Sequence, residues 1–499
     1  MHRHRSCQTL QRVFAIVCTF LGVGSTTSLR GAERPELTRL FPPGGQAGTT
    51  VSVEASGKFP VWPLQAWSDT DSIQWSFEET SGKLKATIAA DAKPGLHWLR
   101  LYHPNGATAV RPFLVGNIPE QIELEPNDRV TEASAIAALP CSIHGVFAKR
   151  GDVDHYAVTL EQGQQIVAGI DSEYLLSSPV DASIQLLDAK GFVLAENLDH
   201  FGLDPRLEFT AARAGKYLVR VFGFPAAPDS TISYGGGADW LYRLTVSKGD
   251  DASQSRLRSA HWDVECKSLL LEPNQAATRE DALSFELPAA IHGVIAIPGQ
   301  KRFVRFPAVA GQNYRVQLQA RQLGSALDAS VVVSDAQSKQ LSQQDDAGNN
   351  RDPDLKWKAV ADGDVFVEVK DFHLAGGADF GYSMLVTAPM PDYKLELSTD
   401  SFQAVMGKET EIQVKIAREL DFAGEIAISL EGVPEGVDCP TLKSIHGSDT
   451  AKSVTLKMKS TVPYQGPIRI VGKLPVEGTQ TKVAETTDDK PLWLSVVAE

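Results

Sequence analysis

The chain has 499 residues and a mass of 54.0 kDa, which is too long for a single hydrophobic core, so several domains are expected. Hydrophobic residues make up 42% and charged residues 22% of the sequence, which is typical of a globular protein and excludes a wholly disordered chain. The formal net charge of −14 disfavours nucleic acid and anionic membrane surfaces as partners.

Residues 1–32 have the layout of a secretory signal peptide. A basic start precedes an apolar run from Val13 to Val23 and a stretch of small residues. The run is too short for a permanent membrane span, although a retained N-terminal anchor is the alternative. Removal of this segment deletes four arginines and no acid, so the charge changes from −14 to −18. The sequence thus predicts an exported protein, secreted, periplasmic or in the cell envelope, with no membrane span after signal removal.

From residue 34 onward, short alternating or apolar runs lie between Gly, Pro, Asp and Asn, and helical periodicity is almost absent. This pattern predicts the all-β class, built as tandem β-sandwiches. Residues 34–117 have the length of a small Ig-like β-sandwich. Their opening segment FPPGGQAGTTVSV resembles an Ig/TIG-like module, which implies an Ig/TIG-like β-sandwich here. Residues 391–499 have the same rhythm, with the turn GVPEGV at 432–437, and predict a second Ig-like β-sandwich.

An internal repeat divides the middle of the chain into two copies of one β-domain. LPCSIHGV at 139–146 returns as LPAAIHGV at 287–294, and GKYLVRV at 215–221 returns as GDVFVEV at 363–369. Three further pairs of segments match in the same order along the chain: 181–183 with 328–330, 204–207 with 352–355, and 236–242 with 376–382. We therefore predict repeat 1 at 120–247 and repeat 2 at 268–389.

Each repeat resembles the bacterial pre-peptidase C-terminal (PPC) domain, a jelly-roll-like β-sandwich appended to secreted peptidases and other exported proteins. The residues that carry the resemblance in repeat 1 are ELEPND at 123–128, the segment 139–147, GDVDHYAV at 151–158 and AGKYLVRV at 214–221. The resemblance implies that the opening acidic segment and the following Asp-x-Asp turn together hold a calcium ion in some members.

ELEPND gathers oxygen-bearing side chains around a proline. Calcium takes six to eight oxygen ligands, and carboxylates without a cation would repel one another. In an extended segment Glu123, Glu125 and Asn127 would project to one side, and Asp152 and Asp154 would do the same. The predicted ligands of one Ca²⁺ site are Glu123, Glu125, Asn127, Asp128, Asp152 and Asp154. The alternative is a polar linker with an Asx-turn after the proline.

Repeat 2 serves as an internal control for this site. Its counterpart is LLEPNQ at 270–275, where sequence alignment sets Leu270 against Glu123 and Gln275 against Asp128. Gln300-Lys301-Arg302 replaces the acidic turn and brings positive charge. We therefore predict that repeat 2 binds no calcium at this position.

Other motifs favour structural roles. The acidic loops around Asp204 and Asp352 have the composition of solvated turns, although a cation is the alternative. Trp240 and Tyr242 could form an aromatic platform, but their spacing is also that of a core strand. His144 recurs as His292 beside a glycine, and no HExxH, CxxC or G-x-S-x-G motif is present. Three cysteines beyond the leader permit one disulfide at most: Cys141, Cys266 and Cys439.

These observations predict an exported, non-catalytic protein for adhesion, binding or envelope scaffolding. Its partner would be an extracellular polymer or an envelope protein. The alternatives are an accessory or inhibitory partner of a secreted peptidase, and a secreted hydrolase of unrecognised type.

Overall fold

The computed structural model describes residues 33–198, 200, 202–227, 233–249, 266–323, 325–347, 352–377, 380–475, 481–486 and 490–498. The predicted signal peptide, residues 1–32, lies outside the described residues. Within these ranges the chain forms 41 β-strands, one helix of four residues, α1 (Glu173–Leu176), and 3-10 turns at Val130–Glu132 and Arg321–Leu323. The predicted all-β class of tandem sandwiches is confirmed. Of the helices among these residues, none has the length and apolar character that a membrane span requires.

The N-terminal module, residues 34–117, has two sheets around its own core. Strand Lys83–Ile88 illustrates the pattern, because Leu84, Ala86 and Ile88 are buried while the residues between them are not. The strands are β1 (Glu36–Phe41), β2 (Gly44–Gln46), β3 (Thr50–Lys58), β4 (Gln65–Ser68), β5 (Ile73–Phe77), β6 (Lys83–Ile88), β7 (Gly95–His103), β8 (Gly106–Ala107) and β9 (Arg111–Gly116). The sheet orders are β1-β3-β6-β5 and β2-β9-β7-β4, with β8 paired to β7.

Repeat 1 consists of two five-stranded sheets that enclose one apolar core. Its strands are β10 (Glu120–Ile122), β11 (Ser134–Ala135), β12 (Cys141–Val146), β13 (Val153–Leu160), β14 (Gln165–Asp171), β15 (Val180–Asp188), β16 (Val193–Asn197), β17 (Arg206–Thr210), β18 (Gly215–Pro225) and β19 (Leu241–Lys248). The sheet orders are β10-β12-β19-β14-β17 and β11-β13-β18-β15-β16.

Repeat 2 has the same topology, with every strand number raised by ten. Its strands are β20 (Lys267–Leu270), β21 (Leu283–Ser284), β22 (Ala289–Val294), β23 (Lys301–Ala308), β24 (Asn313–Gln319), β25 (Ala329–Asp335), β26 (Gln340–Gln344), β27 (Asp354–Lys358), β28 (Gly363–Asp371) and β29 (Gly381–Thr387). The sheet orders are β20-β22-β29-β24-β27 and β21-β23-β28-β25-β26. The repeated motifs therefore occupy equivalent strands, as LPCSIHGV leads into β12 and LPAAIHGV into β22.

The C-terminal module, residues 391–499, arranges three sheets around a core that includes Tyr393, Leu456 and Trp493. Its strands are β30 (Asp392–Leu397), β31 (Ser401–Val405), β32 (Glu409–Glu419), β33 (Ile426–Glu431), β34 (Val437–Asp438), β35 (Leu442–Ser444), β36 (Ser453–Ser460), β37 (Tyr464–Pro467), β38 (Arg469–Lys473), β39 (Lys482–Val483), β40 (Glu485–Thr486) and β41 (Trp493–Val497). The sheet orders are β34-β36-β32-β30-β40, β31-β41-β37 and β35-β33-β38-β39. The boundaries and the Ig-like assignments drawn from the sequence stay predictions.

The first and last modules are in direct contact. Arg100 on β7 is fully buried, and its guanidinium donates to Asp400 Oδ2 at 2.5 Å and to the Thr108 carbonyl oxygen at 2.8 Å. The same guanidinium lies over the Trp493 ring, 5.5 Å from its centroid, and Tyr102 packs on that ring at 5.1 Å. Because Arg100 is buried, separation of the two modules' contact would leave its charge without the Asp400 carboxylate, so this ion pair favours one arrangement of the two elements.

Candidate metal centre

The ELEPND segment lies over the start of β13 and is fixed at both ends by main-chain hydrogen bonds. The Glu123 N–H donates to the His144 carbonyl oxygen at 2.9 Å, which continues the parallel pairing of β10 with β12. The His155 N–H on β13 donates to the Asn127 carbonyl oxygen at 3.1 Å. Between these anchors the backbone bends and is not a strand, and Glu125 Oε2 accepts the Asn127 N–H at 3.0 Å. The carboxylates therefore converge through a turn, and the expectation of an extended segment with side chains on one face was wrong.

The structure brings the predicted ligands together at one place. Carboxylate oxygens of Glu123, Glu125 and Asp154 lie within 4.8 Å of one another, and those of Asp128, Asp152 and Asp154 do the same. Asp154 belongs to both groups, so it stands at the centre of the cluster. Asp152 and Asp154 are buried, Glu123 and Asp128 are half-buried, and Glu125 is exposed.

Asn127, the sixth predicted ligand, is fully buried, and its side-chain oxygen and nitrogen both lack a hydrogen-bond partner among the described residues. Buried oxygens of Asp128, Asp152 and Asp154 are in the same condition, one on each side chain. Buried polar atoms in folded proteins almost always have a hydrogen-bond partner, so several unpartnered polar atoms in one cluster indicate that the cluster binds a further group. Because three of these atoms are carboxylate oxygens, the group that fits is a cation.

Burial and mutual repulsion act strongly on the central carboxylates. Burial, together with the neighbouring charge of Glu123, raises the pKa of Asp154 to about 9. Burial also raises the pKa of Glu123 to about 7, against the lowering effect of its hydrogen bond from the Val146 N–H at 2.7 Å. Without a cation these groups must either hold a proton at neutral pH or repel each other in a poorly solvated site.

Lys149 supplies some positive charge at the rim. Its Nζ lies 3.0 Å from Asp128 Oδ2 and 3.7 Å from Asp152 Oδ1, and this hydrogen bond holds the pKa of Asp128 below its usual range. The lysine is solvent-exposed and does not contact Asp154 or Glu123 in these ion pairs. Lys149 therefore compensates the negative charge of Asp128 and Asp152 at the rim, and it does not compensate that of Glu123 and Asp154 at the centre.

Two tyrosines complete the floor of the cluster and were not predicted as part of it. The Tyr242 hydroxyl on β19 lies 2.6 Å from Asp154 Oδ2, 2.9 Å from Glu123 Oε2 and 2.5 Å from the Tyr156 hydroxyl. The sequence analysis treated Tyr242 as a core residue, and it is fully buried in the core of repeat 1. The recurrence of this tyrosine as Tyr382 was visible in the sequence, but nothing there connected it to residues more than 80 positions earlier.

Repeat 2 carries an arginine where repeat 1 carries its central carboxylate. Arg302 occupies the position of Asp154, since each is the second residue of the equivalent strand, and it is 1% exposed. Its guanidinium donates to the carbonyl oxygens of Gln275 at 2.6 Å, of Val294 at 2.9 Å and of Pro273. In repeat 2 the guanidinium of Arg302 thus holds the equivalent turn against the equivalent strand.

The other substitutions in repeat 2 preserve the scaffold and remove the charge. Gln300 Oε1 accepts the Ala296 N–H at 2.7 Å, just as Asp152 Oδ2 accepts the Ala148 N–H at 2.5 Å. These two contacts are equivalent in position, so the turn geometry is retained by a neutral amide.

The strand register corrects one detail of the sequence alignment. The Leu271 N–H donates to the His292 carbonyl oxygen at 2.8 Å, so Leu271, and not Leu270, takes the place of Glu123. The Phe303 N–H then donates to the Ala276 carbonyl oxygen at 2.8 Å, where repeat 1 uses Asn127. Repeat 2 therefore has one more residue between these anchors, and the shared Glu-Pro-Asn triplets do not superpose.

The acidic loops have a structural role, but Asp204 and Asp352 are buried, so these aspartates are not the solvated turn residues that their composition suggested. Asp204 accepts the backbone N–H groups of Ser172, Glu173 and Tyr174, and Asp352 accepts those of Ala320 and Arg321. The aspartates therefore hold the turns that follow β14 and β24.

His155 borders the cluster, with its ring Nδ1 3.1 Å from the Asn127 carbonyl oxygen, whereas His144, His292 and the described cysteines do not belong to the carboxylate groups. His144 Nε2 lies 2.7 Å from Glu120 Oε2, in a buried network with Arg243 at the junction with the N-terminal module, and His292 contacts Ser268 instead. Within the described ranges, the cysteines are unpaired thiols: Cys141, Cys266 and Cys439.

Comparison with known proteins identifies the class of this domain. Residues 152–223 match the family model of the bacterial pre-peptidase C-terminal domain. The chain therefore contains a PPC domain, and the match begins at Asp152 within the acidic cluster and ends in β18. The resemblance seen in the sequence of repeat 1 is confirmed.

Three particular proteins are similar to parts of the chain. A probable subtilase-type serine protease of Deinococcus radiodurans is 29% identical over 221 residues, which span 42% of this chain and 29% of that protein. The PPC domain of a collagenase from Bacillus anthracis is 20% identical and covers 25% of this chain and 100% of its own, with a TM-score of 0.18. PliG of Aeromonas hydrophila, a periplasmic inhibitor of g-type lysozyme, is 17% identical and covers 26% of this chain and 98% of its own, with a TM-score of 0.17.

Proposed function

We propose that this chain is an exported, non-catalytic binding or scaffold protein of the bacterial envelope, in which one calcium ion stabilises the PPC domain of repeat 1. The observation that carries the calcium proposal is the exchange of Asp154 for a buried Arg302 in the second repeat. Two copies of one fold need positive charge at the same position, and repeat 2 meets that need with its own side chain. Repeat 1, with acids there, needs an ion from solution.

The ligands would come from two segments of repeat 1 that the fold holds side by side. Glu123, Glu125, Asn127 and Asp128 belong to the turn, and Asp152 and Asp154 belong to the entry into β13. All are oxygen donors, which suits a hard divalent cation and argues against zinc, whose protein sites favour histidine and cysteine. The ion would neutralise the central carboxylates and join the turn to the strand.

Titration calorimetry with CaCl₂ tests this proposal. The sample is the chain without the predicted signal peptide, residues 1–32, after treatment with a chelator. We expect one calcium ion per chain and a higher unfolding temperature for the first transition on calcium addition. MgCl₂ at the same concentration is the control, because magnesium demands octahedral geometry and retains its waters. Two ions bound with similar affinity, or none, would contradict the assignment.

An accessory or inhibitory partner of a secreted peptidase is the second candidate function. It is supported by the similarity to the probable subtilase-type serine protease of Deinococcus radiodurans, which this chain matches over 29% of that protein's length. A domain that travels with a protease can also be encoded apart from it.

Affinity purification of the tagged chain from its own envelope fraction separates the two candidates. A stoichiometric peptidase, whose activity changes when the purified chain is added back, would support the accessory function. Recovery of a polymer or envelope protein, with no effect on peptidase activity, would support the binding or scaffold function.

A further inference from the structure

We propose that β16 of repeat 1 is a pairing edge, and that it pairs with β16 of a second copy of this chain. Strand β16 is the last strand of the sheet β11-β13-β18-β15-β16, so among the described strands it is hydrogen-bonded to β15 on one side. On its other side, main-chain N–H and carbonyl groups point away from the sheet, as they do on any terminal strand. An edge of this kind accepts one more extended strand.

The side chains at the start of β16 are the first argument. Phe192, Val193 and Leu194 follow one another directly along the chain, and they are 68%, 46% and 43% exposed. Natural proteins usually protect a terminal strand from pairing with charged residues, prolines or bulges. Three consecutive apolar side chains at an open edge do the opposite, because they favour contact with another apolar strand over contact with water.

Repeat 2 treats the equivalent edge in another way. The hairpin that leads into each edge strand is closed by the same hydrogen bond, from the Asp188 N–H to the Phe192 carbonyl oxygen at 2.9 Å and from the Asp335 N–H to the Lys339 carbonyl oxygen at 3.0 Å. Lys339 therefore takes the position of Phe192, and the next residue is Gln340 in place of a valine. Both edge strands contain a bulge at this point, so the difference is confined to the side chains. Lysine is a residue that prevents edge pairing, so β26 is protected where β16 is not.

The length of β16 favours a second copy as the partner. The strand has five residues, and a free peptide of that length gains little from pairing, because its own ordering opposes it. A second copy presents the same edge already folded, so this cost is avoided. A two-fold dimer also matches the two apolar segments in length and composition, since both sides of such an interface are the same surface.

The charge on β16 is compatible with this pairing. Glu196 is its one charged residue, and its carboxylate accepts a hydrogen bond from Gln185 Nε2 of the same chain at 2.9 Å. In an antiparallel pair the two Glu196 side chains face each other only if the two-fold axis passes through Glu196, so the other registers avoid the repulsion. Pairing would join two five-stranded sheets into one of ten strands and double the number of binding surfaces in one particle.

Sedimentation velocity of the chain without residues 1–32, measured over a range of concentrations in buffer with CaCl₂, tests the proposal. We expect a reversible dimer whose fraction rises with concentration. The double exchange Phe192→Lys with Val193→Gln gives β16 the residues that β26 already has, so the fold should be retained. It should raise the dissociation constant of the dimer by about tenfold or more, because a lysine at the edge opposes pairing. Hydrogen exchange of the wild-type chain should show the main-chain amides of β16 protected in the dimer and open in the monomer.

Val360→Lys is the matched control, because Val360 is 86% exposed, lies outside any strand and receives the same charge. It should leave the dissociation constant unchanged. Should the double exchange fail to fold, hydrogen exchange of the wild-type chain still decides the matter. A chain that stays monomeric at every concentration, a dimer unaffected by the double exchange, an equal loss in Val360→Lys, or a dimer whose β16 amides exchange as fast as those of the monomer would each overturn the proposal.

Discussion

Repeat 1 and repeat 2 have the same ten strands in the same order, yet they treat one buried position in opposite ways. Asp154 in repeat 1 gathers carboxylates with high pKa values and orphaned oxygens, and Arg302 in repeat 2 donates to three main-chain carbonyl groups. In repeat 2 a side chain thus places a permanent positive charge where the opening turn crosses the first long strand. The proposed calcium ion would place positive charge at the equivalent point of repeat 1, but only when the surroundings contain the ion.

The largest expected effect follows from removal of the built-in cation. Arg302→Met keeps much of the side-chain volume and removes the guanidinium hydrogen bonds to the carbonyl groups of Pro273, Gln275 and Val294, of which Pro273 still accepts from Gln300 Nε2 at 3.1 Å. Hydrogen bonds from a charged donor contribute about 1.5–3 kcal/mol, so we expect repeat 2 to lose about 3 kcal/mol of unfolding free energy. Urea unfolding measures this loss. Lys301→Met, at the neighbouring exposed position, is the control, and an equal loss there would argue against the role of the guanidinium.

The next effect concerns the central acid of repeat 1. Asp154→Asn retains the shape of the side chain and removes the carboxylate that belongs to both three-residue groups of the cluster. Calcium affinity should therefore fall by about 100-fold or more, which corresponds to about 2.7 kcal/mol. Calorimetry with CaCl₂ measures the change. Asp364→Asn, an exposed acid paired with Arg305 in repeat 2, should have no effect. Unchanged calcium affinity in Asp154→Asn would remove the centre from consideration.

A pH series sharpens the comparison further. The pKa values of Asp154 and Glu123 are raised to about 9 and about 7, so the calcium-free repeat 1 is favoured at acid pH and loses this stability as pH rises through those values. Calcium must displace the same protons, so its stabilising effect should be greater at about pH 8 than at about pH 5. Thermal unfolding with and without chelator measures the difference. The Arg302-containing repeat should respond to chelator at neither pH, because an arginine stays charged throughout this range.

The smallest effect contrasts two equivalent tyrosines. The Tyr242 hydroxyl contacts Asp154 and Glu123, whereas the Tyr382 hydroxyl is buried with no partner among the described residues. Tyr382→Phe should therefore be neutral or stabilise repeat 2 by up to about 1 kcal/mol, and Tyr242→Phe should destabilise calcium-free repeat 1 by about 1 kcal/mol. Thermal unfolding under chelator distinguishes them, and equal shifts would count against the assigned contacts.

The sequence predicted the elements whose signals are local. Period-two alternation and turn residues predicted the all-β class, and collinear motifs predicted the repeat. The oxygen-rich turn and the Asp-x-Asp pair predicted which side chains the structure brings together. Each of these patterns is contained in a few consecutive residues.

What the sequence did not predict depends on pairing between distant strands. In the sequence Arg302 indicated only a positive charge that disfavours calcium. Its structural role could not be predicted, because its three acceptors are main-chain oxygens that have no sequence signature. The extra residue of repeat 2 was hidden, because the Glu-Pro-Asn triplet aligned in sequence while the hydrogen bonds of Leu271 and Ala276 set another register. Contact between Arg100 and Asp400 joins residues 300 positions apart, which no local pattern reveals.

The Arg100–Asp400 ion pair has a mechanical consequence. Because the last module contacts the first, tension applied between residues 33 and 498 would act first on this ion pair and on the packed rings of Tyr102 and Trp493, before it reaches the two repeats. The repeats would come under tension only after the joint opens, so the molecule would extend in two stages under pulling.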